Sequence, residues 1–148
     1  MASQISALKL FDLIQSHRVT AVIHVAVRLG IAELLRDGPQ TLAELAKATG
    51  ADERALGRLL TALSTIGICE RTGEGSYALT EVGAGLDGEA EQSFKGWAIF
   101  EAEMLSKRWS GMLESVMTGK TAAELQGLAD SFELWAEHPG TSPSSTLR

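Results

Sequence analysis

The stretch Thr41–Thr80 constrains the fold more than any other part of the chain. TLAELAKATG reads as a short helix: Thr41 is a good N-cap, Glu44 stands three residues later to complete a capping box, and Gly50 ends it. Asp52 caps a second, longer helix whose core face is Ala55, Leu56, Leu59, Leu60, Leu63 and Ile66. CERTGEGSYALT then reads as a β-hairpin, with Gly73-Glu74-Gly75 at the turn and Tyr77 and Leu79 alternating on the return strand. Two helices followed at once by a hairpin make a winged helix-turn-helix. The rest of the chain is helical, so the fold class is mainly α, with a small hairpin wing and flanking helices.

Such units commonly read DNA, but the charge opposes it here. Thirteen basic residues face nineteen acidic ones, a net charge of −6, so the attraction to phosphate that supplies most DNA affinity is missing. The exposed start of the second helix carries Asp52 and Glu53 beside Arg54 and Arg58, and the wing sets Arg71 against Glu70 and Glu74. A transcriptional regulator is therefore the rival reading, and nucleic acid is not expected as a partner.

The 148 residues suffice for one domain with a real core and hardly for two. No basic segment followed by an apolar run opens the chain, and the apolar stretch Val19–Val27 is too short to span a bilayer. The expectation is a cytoplasmic protein with no membrane partner. Cys69 is the only cysteine, which excludes an intrachain disulfide and a cysteine-based metal cage. Nothing near it suggests activation, so it reads as a small buried filler. His17 and His24 share a helix face but lie seven apart, where metal pairs favour four, and no catalytic serine–histidine–aspartate order emerges. No catalytic, cofactor-binding or metal-ligating residue is assigned.

Residues 8–35 form one or two helices, broken near Gly30, with Asp37-Gly38-Pro39 as the turn beyond. Val19, Val22, Ile23, Val25, Ala26, Val27 and Leu29 make this region apolar on more than one face, and in so small a chain another subunit is the natural second cover. From Phe94 a stripe of Trp97, Phe100, Met104, Leu105, Trp109, Met112, Leu113 and Val116 predicts a helix of about five turns, stopped at Gly119. A last amphipathic piece, residues 122–137, carries Phe132 and Trp135 and leads to Pro139-Gly140. The domain is expected over 1–140, with a linker or tail over 141–148.

Gly83-Ala84-Gly85-Leu86-Asp87-Gly88 spells G-x-G-x-x-G, with Glu101 18 residues after its first glycine. A nucleotide loop needs a buried parallel strand before it and a packed helix after it. Here the wing's return strand precedes it and DGEAEQSFKG, which has no apolar face, follows. The reading is a loop.

Five segments, in order, carry a resemblance: AVRLGIAELL (26–35), TLAELAKATGADERALGRLLTALSTIGI (41–68), YALTEVG (77–83), RWSGMLESVMTG (108–119) and FELWAEHPG (132–140). Together they resemble the N-terminal dimerisation domain of S-adenosylmethionine-dependent O-methyltransferases that act on small natural-product phenols and polyketides. The resemblance implies a homodimer, and a Rossmann-like domain, attached or separate, that holds S-adenosylmethionine and the catalytic base. The family's glycine-rich donor loop and catalytic histidine have no counterpart in these residues, and the chain stops at Arg148, about where the linker into that domain should run. The expected role is self-association and help in walling the acceptor pocket, without catalysis by this chain alone. Phe11, Ile14, Val22, Val25, Leu29 and Trp109 are the expected dimer contacts. The positions around Ile99 and Phe100 fall where the family places contacts to the small-molecule acceptor, and a flat aromatic acceptor would suit Phe100 and Met104, so Ile99, Phe100 and Met104 are the expected pocket wall. Trp97, Phe100, Met104, Trp109 and Met112 have core packing as their plainer explanation. A non-catalytic scaffold subunit is a further alternative.

Overall fold

A computed structural model describes residues 2–73, 75–127 and 136. The chain divides into two compact units, Met1–Ala84 and Gly85–Arg148. The division falls inside the stretch expected as one domain.

The first unit begins with α1 (Ala2–Gln15), α2 (His17–Leu29) and α3 (Ile31–Leu35). The expected break at Gly30 is present: this residue adopts φ 68° and its N–H bonds to the carbonyls of Ala26 and Val27. A second break, at Ser16, separates α1 from α2. Beyond a two-residue strand β1 (Gln40–Thr41) come α4 (Leu42–Thr49) and α5 (Glu53–Thr65), the helix-turn-helix pair. Thr41 caps α4 as expected. Its hydroxyl accepts from the Glu44 N–H, and the Glu44 carboxylate accepts from the Thr41 N–H at 2.8 Å. Asp52 caps α5 by accepting from the Ala55 N–H at 2.8 Å.

The wing is β2 (Cys69–Arg71) and β3 (Ser76–Leu79), antiparallel, with Cys69 opposite Leu79. β1 adds a third strand, also antiparallel, on the other edge of β3 with Gln40 opposite Tyr77. The Gln40 side-chain amide donates to the Leu34 carbonyl, fixing the approach to β1. The core gathers Ala26 and Val27 of α2, Ile31, Ala32 and Leu35 of α3, and Leu45, Leu56, Leu60, Leu63, Ile68, Cys69 and Tyr77. Burying each leucine contributes ~2 kcal/mol. Of the core face expected for α5, Leu56, Leu60 and Leu63 are buried, Leu59 and Ile66 are half-covered, and Ala55 is exposed. The short α6 (Glu81–Ala84) closes the unit.

The second unit contains α7 (Lys95–Phe100), a π-helical turn at Glu101–Leu105, α8 (Ser106–Trp109), α9 (Met112–Thr118) and α10 (Ala122–Gln126). The continuous five-turn helix expected from Phe94 is thus corrected. It is widened at 101–105, where the i→i+5 pattern absorbs an extra residue, and broken at Ser110-Gly111 by a tight Gly111 N–H to Arg108 carbonyl bond. Gly119, φ 74°, ends α9 as expected. A second capping box, Thr121 with Glu124, opens α10, which packs on α8 and α9. The amphipathic piece expected over 122–137 is described to Gly127 and at Ala136, so Phe132, Trp135, Pro139-Gly140 and the tail lie outside the described residues. Among the described residues no helix is long and apolar enough to cross a membrane.

Candidate self-association surface and pocket wall

α1 carries a broad apolar face. At 100° per residue Leu8, Leu10, Phe11, Leu13 and Ile14 span an arc of about 220°, with Lys9 and Asp12 on the remaining side. All five are exposed, Phe11 at 60% and Ile14 at 65%. An apolar face this wide needs a cover, yet among the described residues it has none. α2 turns Ala26 and Val27 into the core and leaves Val22 and Leu29 half-covered, while Val19 and Val25 stay exposed. All the expected contact residues of the first unit, Phe11, Ile14, Val22, Val25 and Leu29, thus keep apolar surface outside the core. Leu8, Leu10 and Leu13 are exposed in the same way. Sequence reasoning passed over these three, although the helical wheel places them on the same broad face as Phe11 and Ile14.

Ile99, Phe100 and Met104 follow one another across the junction of α7 and the π turn. Phe100 is 2% exposed, and its ring lies 5.8 Å from that of Trp97 at a 35° tilt. Ile99 and Met104 are half-covered. Phe100 is therefore a buried backing, and Ile99 and Met104 carry the accessible surface. Trp97 and Phe100 satisfy the plain core reading in part or whole. Trp109 and Met112 do not, being 60% and 53% exposed. With Leu113, Val116 and Met117 they form an apolar strip on α8 and α9. The half-covered positions along this stretch are instead Arg108, Gly111 and Ser115. Gly111 approaches the Gln126 side chain of α10 so closely that a Cβ would meet its amide nitrogen, so α10 sits on the polar side.

The remaining candidates carry no chemistry. The Cys69 thiol is buried, and that burial pushes its pKa from 9.0 up to about 11. His17 is exposed, with Nδ1 3.3 Å from the Ile14 carbonyl, and the described residues contain no His, Cys, Asp and Glu group suited to a metal. The Thr41 and Thr121 hydrogen bonds hold the Glu44 and Glu124 carboxyls below their ordinary range.

The G-x-G-x-x-G stretch does not fit an adenosyl group. The strand before it, β3, is antiparallel, and Gly83 and Ala84 belong to α6 rather than to a loop. The Gly83 N–H is spent on the Thr80 hydroxyl at 3.0 Å, which in turn donates to the Gly67 carbonyl at 2.7 Å. On the far side of the division between the units, the buried Asp87 carboxylate accepts from the Glu89 N–H, and the Gly85 carbonyl accepts from the Phe94 N–H. The glycines serve packing and turns.

Comparison with known proteins agrees with this architecture. The sequence model of the O-methyltransferase dimerisation domain matches residues 8–86, more than half of the chain and nearly the whole first unit. The phenazine O-methyltransferase PhzM of Lysobacter antibioticus is 35% identical over 130 residues, 88% of this chain and 38% of that protein. The crystal structure of LaPhzM matches with a TM-score of 0.80 at 34% identity, over 93% of this chain and 41% of its own. That of the N,N-8-amino-8-demethyl-D-riboflavin dimethyltransferase RosA from Streptomyces davawensis gives 0.76 at 30% identity, over 94% and 40%. The chain spans about two-fifths of the length of these relatives.

Proposed function

From the premise that the chain belongs to the O-methyltransferase dimerisation-domain family, we propose that it joins two copies of itself and walls part of a methyltransferase acceptor pocket. The observation that carries this reading is α1, whose five large apolar side chains are all exposed. Standard interfaces bury roughly 800 Å² per partner. Leu8, Leu10, Phe11, Leu13 and Ile14, with Val22, Val25, Leu29 and Trp109, offer apolar surface on that scale. Two copies meeting through these faces form a homodimer that covers the apolar face of α1.

The reaction is methyl transfer from S-adenosylmethionine to an oxygen of a small, natural-product-like acceptor in the cytoplasm. A catalytic domain, joined to this chain or separate, supplies the donor site and the base. This chain's own part is binding and exclusion of water. Ile99 and Met104 face the acceptor, and Phe100 holds them from behind. An unbranched, polarizable methionine beside an isoleucine suits a flat aromatic molecule. The dimethyltransferase among the relatives, whose name places its methyl groups on an amine, makes nitrogen the alternative acceptor atom.

Sedimentation equilibrium tests the association. The wild-type chain is expected to sediment as a dimer, and Phe11→Glu to weaken the dimer at least tenfold while keeping the helical circular dichroism. A wild-type chain that stays monomeric at tens of micromolar would overturn the proposal.

A further inference from the structure

Beside Ile99 and Met104, the stretch proposed as a pocket wall presents a polar group. Trp97, Phe100 and Met104 follow three- and four-residue steps, so they share one face from α7 into the π turn. Phe100 is buried in the middle of that face, and Trp97 and Met104 are half-covered on either side of it. The Trp97 ring leans on that of Phe100, 5.8 Å away at a 35° tilt. That contact uses the carbon surface of the indole and leaves its one polar atom unused. Among the described residues the Trp97 Nε1–H donates no hydrogen bond, and it is not one of the enclosed polar atoms. An indole N–H that folding buries normally finds an acceptor inside the protein. Here the ring is backed by Phe100 while its donor stays open.

We infer that Trp97 is a specificity-determining residue of this wall, donating its indole N–H to a carbonyl oxygen on the acceptor. This rests on the pocket wall proposed above and narrows its substrate class. The molecule is flat, aromatic, and carries a neutral carbonyl oxygen in addition to the atom that is methylated. Two features select that group. An indole N–H only donates, so a protonated amine, which has no lone pair, gains nothing there. Glu101 stands one helical turn after Trp97 and is half-covered, so its negative charge opposes a carboxylate at the same point. An aryl ketone or quinone oxygen meets both conditions. Ile99, Phe100 and Met104 contribute apolar contact alone and cannot make this distinction.

NMR of the 148-residue chain tests this with 2-acetylnaphthalene as the probe and 2-ethylnaphthalene as its counterpart without the oxygen. Both probes are expected to move the Ile99 and Met104 methyl signals. Only the ketone is expected to move the Trp97 Nε1–H signal downfield, as a new hydrogen bond does. Trp97→Phe is expected to lower the preference for the ketone over the hydrocarbon about fivefold, the contribution of one neutral hydrogen bond. Comparing the two affinities cancels the packing that the smaller ring gives up. The Nε1–H signal is read on the wild-type chain, so it decides the matter even if Trp97→Phe does not fold. Methyl signals that respond to both probes beside an unmoved Nε1–H signal, or an unchanged preference in folded Trp97→Phe, overturn the role of Trp97 and leave the wall standing. Ile99 and Met104 methyls that respond to neither probe would instead remove the wall on which this inference depends.

Discussion

A Cβ built on Gly83 would stand 2.0 Å from the Ile68 carbonyl oxygen. That oxygen is fixed, since it accepts from the Thr80 N–H at 3.2 Å and lies 3.0 Å from the Thr80 hydroxyl, whose proton it shares with the Gly67 carbonyl. The base of the wing and the start of α6 are locked together at this point, and only glycine fits. Gly83→Ala raises helix propensity, which alone would stabilise by ~1 kcal/mol. The clash is with backbone and reverses the sign. A net loss of ~2 kcal/mol is expected, lowering the melting temperature of the first unit by roughly 10 °C. An unchanged or higher melting temperature would mean that α6 can lift away from Ile68 at little cost.

Cys69 supplies a second measurable consequence of the same packing. Its thiol is raised from 9.0 to about 11 by burial, so the folded state favours the protonated form. The corresponding stability is fully present below pH 9, is lost as pH rises through 11, and is absent in Cys69→Ala. At pH 8 the native chain is expected to react with a thiol-specific alkylating agent at least a hundredfold more slowly than the chain in denaturant. Equal rates would place the thiol at the surface.

The sequence reveals features whose causes are local. Thr41 with Glu44, Asp52 before α5, and Gly30 and Gly119 as terminators are all set by backbone groups within a turn of the residue concerned. β1 is different. Two residues carry no periodicity, and Gln40 and Thr41 become a strand only because β3 offers a free edge opposite Tyr77. The π turn lies between these cases. The adjacency of Met104 and Leu105 in an otherwise three-and-four pattern marks a slip, but periodicity does not say whether the helix breaks, rotates or widens there. Periodicity also identifies an apolar face without saying what covers it. The stripe expected from Phe94 includes both Phe100 and Trp109, yet one is buried and the other exposed.

The two capping boxes make a pH prediction. Hydrogen bonds from the Thr41 backbone and side chain hold the Glu44 carboxyl below its ordinary 4.5, and Thr121 does the same for Glu124. A carboxyl lowered on folding adds stability that is present above 4.5 and is lost as pH falls through the folded value. Both groups lie at the surface, so the effect is small and salt-sensitive. Carbon-detected NMR titration is expected to place both midpoints below the ordinary 4.5. Thr41→Val is expected to return Glu44 towards 4.5 without moving Glu124. A Glu44 midpoint untouched by Thr41→Val would show that the Thr41 hydroxyl does not hold the carboxylate in solution.

The helix-turn-helix of this chain is built, and its recognition helix is in place, so DNA affinity is a fair physical question. In readers of DNA the N-terminal half of such a helix enters the major groove. Here Asp52 is spent on the Ala55 N–H, and Glu53 stands exposed beside Arg54 and Arg58. Each phosphate contact would have to be made against a net charge of −6. Binding that depends on about two arginines carries a shallow salt slope and leaves little affinity at physiological salt. The chain is expected to elute from a duplex DNA column below ~0.1 M salt, with Arg54→Ala and Arg58→Ala shifting the elution only slightly. Retention beyond ~0.3 M, lost in those variants, would restore the regulator reading, because only a concentrated set of phosphate contacts could overcome the opposing charge.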